Sequence, residues 1–200
     1  MSFKLNIDQF VHQFIEYFQK SGWISTHDKH EDYWEISHDF HGSNVGFVFN
    51  SRSVFAPTLN PKVQISPFLT NAAFSKIEKE IFQHASKIQV DPAVAYTKII
   101  KSIPEYSAEY PVLFKDILQE IEAWGQNLNL QNCVQELATK GIPEVGGGQL
   151  RHLTALAYLG DFNTLLDYQK IFRKGKRLNF VPMITAEIID RAIDIAAERA

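Results

Sequence analysis

The spacing of apolar residues changes near residue 70, and this limits the chain to an α+β fold. Before that point, one amphipathic segment is followed by short runs in which apolar and polar residues alternate. Beyond it, nearly every apolar residue recurs at helical spacing through to residue 200.

The first segment places Ile7, Phe10, Val11, Phe14, Ile15 and Phe18 on one helical stripe, with Asn6 as the N-cap and Gly22 as the stop. Between residues 23 and 68 the period falls to two. Trp34, Ile36, His38 and Phe40 alternate with Tyr33, Glu35, Ser37 and Asp39, and Val45, Phe47 and Phe49 alternate again. HGSN, residues 41–44, has the composition of a hairpin turn. Weaker strands are expected at 54–56 and 62–66, confined to edges by Pro57, Pro61 and Pro67. The simplest arrangement is an antiparallel sheet of three to five strands behind an N-terminal helix.

In the second half, Phe74, Ile77, Ile81, Ala85 and Ile88 share one stripe, and Asp91 with Pro92 then caps a helix that stops before Pro104. Pro111 opens a third, with Leu113, Ile117, Ile121 and Trp124 inward and Gly125 as its end. A fourth carries Leu130, Val134 and Leu137. PEVGGGQ, residues 143–149, breaks the helical part, and helices are expected again at 150–159, 162–174 and about 182–198. This gives about six to seven helices covering the sheet. The reading is a single domain of residues 1–200, with an α/β layer to about 69 and a helical layer beyond it.

Composition excludes several classes. A chain of 200 residues with 45% hydrophobic content holds a full core without staples. A single cysteine, Cys133, cannot form an internal disulfide, so a reduced cytoplasm is the default compartment. The first ten residues lack the apolar stretch of a signal peptide, and no run is long enough to span a membrane. A net charge of −3 argues against non-specific nucleic-acid binding.

Candidate chemistry is sparse. Four histidines, His27, His30, His38 and His41, are interleaved with Asp28, Glu31, Asp32 and Asp39, but at no metal-ligand spacing. They read as a polar loop and strand ends, with zinc as the competing reading. Gly146, Gly147 and Gly148 precede Arg151 and His152 without the GKS or GKT of a phosphate loop, and read as a flexible connection. RKGKR, residues 173–177, reads as a solvated helix end, and Asp116 and Glu120 as an acidic helical face. No paired carboxylates, GxSxG elbow or HExxH segment is present, so neither a catalytic residue nor a cofactor is assigned.

HLTALAYLGDFNTLLDYQKIF, residues 152–172, followed by NFVPMITAEIIDRAIDIA, resembles the C-terminal pattern of small bacterial families of the toxin-immunity type. The resemblance covers the last quarter of the chain and implies a cytoplasmic protein that neutralises a cognate toxin by contact. Its partner would be another protein. A face combining aromatic and charged residues is expected for that task, and Tyr33, Glu35, Asp39 and His41 with Tyr106, Glu109 and Tyr110 are its candidates. In outline, the helix–sheet–helix order also resembles secretion chaperones, which bind extended effector segments. An enzyme with an unrecognised pocket is the third reading.

Overall fold

The structure is a computed structural model and describes residues 5–55, 60–83, 93–144 and 146–200. In chain order its elements are α1 (Ile7–Lys20), β1 (Ile24–Asp28), β2 (Tyr33–Phe40), β3 (Ser43–Phe49), β4 (Val54–Phe55), β5 (Lys62–Ile65), β6 (Phe68–Thr70), α2 (Ala72–Phe82), β7 (Ala95–Tyr96), β8 (Ile99–Ser102), α3 (Tyr110–Asn127), α4 (Leu130–Thr139), α5 (Gly146–Leu159), α6 (Phe162–Arg173) and α7 (Ala186–Arg199). The fold is α+β, with a five-stranded sheet of order β1-β2-β3-β6-β7 and a three-stranded sheet of order β4-β5-β8. The chain divides into two compact units: Met1–Leu69 with Ala95–Leu128, and Thr70–Val94 with Asn129–Ala200.

The first unit is built on aromatic packing. The Asn6 side chain accepts from the Gln9 amide at 3.1 Å, and α1 buries Phe10, Phe14, Ile15 and Phe18, as its stripe predicts. Across β2 and β3, Trp34 pairs with Phe49 and Ile36 with Phe47. Phe14 stacks on Phe49 at 4.2 Å between centroids, and Phe114 of α3 meets Phe14 edge-on at 5.2 Å. The β2–β3 turn is tighter than the HGSN segment suggests. Phe40 pairs with Ser43, so only His41 and Gly42 turn, with φ of 54° and 79°. Two successive positive φ values mark the primed hairpin turn whose twist matches the strands.

Three sequence expectations are corrected here. Residues 93–103 are not helical: β7 and β8 lie among them, while the Asp91–Pro92 cap lies outside the described residues, as do Ala85, Ile88 and Ala56. The segment 94–103 is dense in β-branched residues, and Ile99 and Ile103, both buried, imitate helical spacing although Ile100 between them is 50% exposed. β1 went unread because ISTHD carries one large apolar residue, and that residue faces solvent. Gly125 is not a helix stop. It is buried within α3, where an added Cβ would sit 3.2 Å from Val45 Cγ2 and 3.3 Å from the Phe40 ring. A glycine here lets the helix approach the sheet closely.

The second unit has its own core, in which Ile77 and Ile81 of α2 join Leu153, Leu156, Leu165, Ile184, Ile189 and Ala192. The glycine segment is corrected too, since Gly146 to Gly148 form the first turn of α5. Gln149 follows, fully buried. Its Nε2 donates to the Pro143 carbonyl at 2.8 Å and the Asn179 carbonyl at 3.1 Å, and its Oε1 accepts from the Val181 amide at 2.9 Å. The helix expected from about residue 182 begins only at Ala186, capped by Thr185. Before it runs a loop in which Leu178 and Asn179 hold φ of 50° and 67°. A left-handed leucine is strained, and the loop is fixed from both sides. On the other side, Arg177 donates to the carbonyls of Phe180, Val181 and Ile184 and lies over the Phe172 ring.

His152, 1% exposed, has its Nδ1 2.9 Å from the Leu137 carbonyl and its Nε2 3.0 Å from the Tyr168 hydroxyl. A carbonyl can only accept, so Nδ1 carries the proton and Nε2 accepts from the tyrosine. Burial pushes the imidazole below its ordinary value of 6.5, partly opposed by the Leu137 hydrogen bond and by the charge of Asp161. Above pH 6.5 the folded and unfolded chains both carry a neutral ring at this position. As the pH falls below 6.5, the unfolded chain takes up a proton that the folded chain refuses until its own lower pKa is reached. Stability therefore drops across that window. Urea unfolding at pH 7.5 and 5.5, followed by far-ultraviolet circular dichroism, should show the loss. His152→Gln should reduce the difference between the two pH values, and an unchanged difference would refute the assignment.

Candidate functional site

Alternation along β2 separates the five-stranded sheet into two faces. Trp34, Ile36, His38 and Phe40 point toward α1 and α3, and Tyr33, Glu35, Ser37 and Asp39 point away. Register extends the outward face to neighbouring strands. Ile24, Thr26 and Asp28 of β1 lie opposite Ser37, Glu35 and Tyr33, while Asn44, Gly46 and Val48 of β3 lie opposite Asp39, Ser37 and Glu35. The Phe68 ring covers Gly46, 3.2 Å from where a Cβ would stand, and Tyr96 pairs with Phe68. This face remains open: Ile24 is 69% exposed, Val48 38% and Tyr96 75%.

Its acidic groups are held in place locally. The Asp28 carboxylate accepts from the amides of His30 and Glu31 at 2.8 and 3.1 Å. The Glu31 amide first, then the His30 amide, lowers its pKa. Tyr33 beside it is raised by desolvation and then by the Asp28 charge. Asp39 accepts from the Gly42 amide at 3.2 Å, which ties it to the hairpin turn.

The four histidines do not converge. His27 stacks on Trp34 at 4.4 Å and reaches Asp32 at 3.4 Å, whereas His38 stacks on Trp23 at 5.3 Å. The His30 amide closes the β1–β2 turn, and His41 sits in the β2–β3 turn. Among the described residues no three His, Cys, Asp or Glu side chains form a group able to hold a metal ion.

Of the expected contact residues, Tyr33, Glu35 and Asp39 share the outward face, with exposed His41 at its end. The other three are elsewhere. Tyr110 is 5% exposed and packs edge-on against Phe10 in the aromatic core, where burial raises its pKa. Tyr106 is 68% exposed, and Glu109 borders a groove of about 750 Å³ with Ile103, Pro104, Val112 and Leu113. Asp116 and Glu120 are ion-paired within the chain, because Lys101 Nζ bridges them at 2.8 and 2.7 Å and both pairings raise its pKa. Within RKGKR, Arg177 is committed to its own loop. Sequence reasoning missed Ile24, Val48, Phe68 and Tyr96; extending the alternation of Tyr33 and Glu35 to neighbouring strands needs a register that composition does not supply.

Residues 11–197 match the model of DUF6990, a family of unknown function. The chain belongs to that family. No curated protein and no solved structure matches this DUF6990 member. Among its described residues, no helix is long and apolar enough to cross a membrane.

Proposed function

We propose that this protein is a non-enzymatic binding protein of the immunity type, which neutralises a cognate toxin in the cytoplasm by laying a rigid face over the toxin's active site. The observation that carries the reading is the open side of the five-stranded sheet. Ile24, Val48 and Tyr96 are exposed there beside Tyr33, Glu35 and Asp39, on strands fixed from behind by a packed aromatic core. Apolar and aromatic surface rimmed by charge is what a specific protein interface needs, and a preformed sheet costs little ordering entropy on binding.

The test is coexpression with the products of the genes flanking its own. A stoichiometric complex and protection of cells from the flanking toxin are expected. Val48→Asp with Tyr96→Asp should lose both while the folded circular dichroism spectrum is kept. A monomer that captures no flanking product and protects no cell would contradict the reading. The chaperone alternative draws on one feature, the edge of β1, which among the described residues pairs with β2 alone. It requires a dimer, so a monomer at all concentrations would remove it.

A further inference from the structure

We infer that the surface seated on the outward face of the five-stranded sheet is cationic, an arginine- or lysine-rich patch on the protein partner. The inference rests on the binding reading above and specifies its chemistry. Three carboxylates, Asp28, Glu35 and Asp39, stand on the outward face, and no outward strand position carries lysine or arginine. Lys29 is the lysine or arginine nearest to these carboxylates in sequence, and it lies in the β1–β2 turn together with Glu31 and Asp32.

Unlike Asp116 and Glu120, neither Glu35 nor Asp39 forms an ion pair with a described residue. They are four residues apart on one strand, about 13 Å, so two separate cationic groups can be met. Glu35 is half-buried between Thr26 and Val48, which are neutral, and a carboxylate partly removed from water interacts more strongly with an incoming cation.

A second set of groups has the same preference. Tyr33 stands on the same strand face as Glu35 and Asp39, exposed Tyr96 lies farther across the sheet on β7, and aromatic faces attract guanidinium and ammonium groups. The apolar stems of arginine and lysine also fit against Ile24 and Val48. Nucleic acid and a second copy of this face would bring like charge and are disfavoured. The chain's net charge of −3 has the sign needed to steer a basic protein to it.

Two arms test the inference. In the first, the labelled full-length protein is titrated with an oligoarginine peptide and followed by nuclear magnetic resonance. Shifts should centre on Ile24 to Asp28, on β2 and on Val48, and vanish in Glu35→Lys with Asp39→Lys. The same loss should appear in Glu35→Gln with Asp39→Asn, which keeps a side-chain oxygen for the Gly42 amide. Charge reversal at exposed Asp194 and Glu198 of α7 should leave the shifts unchanged. Shifts spread equally over both acidic surfaces, or insensitive to Glu35 and Asp39, would overturn the inference. In the second arm, a captured flanking-gene partner should associate about tenfold more slowly with the Glu35→Lys and Asp39→Lys variant at low salt, and the difference should shrink as salt is raised. A partner that binds both forms equally would overturn the cationic assignment and leave the binding reading intact. If no flanking product binds the wild type, the binding reading fails, and the oligoarginine arm still decides the preference of the face.

Discussion

Phe14→Ala is expected to destabilise the first unit by about 3–5 kcal/mol, the range for removing a fully buried phenylalanine. The Phe14 ring is fully buried and touches five others: Phe10, Phe18, Phe47, Phe49 and Phe114, at 4.2 to 6.4 Å between centroids. It joins α1, β3 and α3, so its loss leaves a cavity that no single side chain can refill. All three tryptophans, Trp23, Trp34 and Trp124, lie in this unit, so fluorescence-detected urea unfolding reports on it directly. The transition should move to markedly lower urea with little change in slope. A shift worth under about 1 kcal/mol would mean that the aromatic cluster is not the packed centre described here.

Gln149→Leu should have a comparable effect on the second unit, for a different reason. The leucine fills the space and suits a helix, but it strands the Pro143 and Asn179 carbonyls and the Val181 amide. A buried backbone group left without a partner costs about 1–3 kcal/mol, and three are involved, so a loss of about 3 kcal/mol or more is expected. Hydrogen exchange offers a local check, since the Val181 amide should lose protection first. A variant as stable as the wild type would show that water or a shifted loop replaces the amide without penalty.

What the sequence disclosed depended on how local the determining contacts are. The α1 stripe and the β2–β3 alternation were legible because each pattern lies within one run of residues. The strands at 95–96 and 99–102 were not, because their partners, β6 and β5, are about thirty to forty residues earlier in the chain. Gly125 and Gly146 to Gly148 misled for a related reason. Glycine signals a break when only local propensity is weighed, whereas Gly125 is a packing contact against Val45 and Phe40. Half of the candidate surface was legible, since Tyr33, Glu35 and Asp39 share one strand face. Tyr110 was misplaced because an amphipathic ring near acidic residues looks like surface, and only its contact with Phe10 puts it in the core.

If the protein works by contact through the open face of its five-stranded sheet, a bound partner must register on that face. The most direct measurement is a nuclear magnetic resonance map of the labelled protein in complex with a captured flanking-gene product. Residues 24–28, 33–39, 44–48, Phe68 and Tyr96 should change while the core of α5 and α7 stays as it is in the free protein. Changes confined to the second unit, with the sheet face untouched, would contradict it.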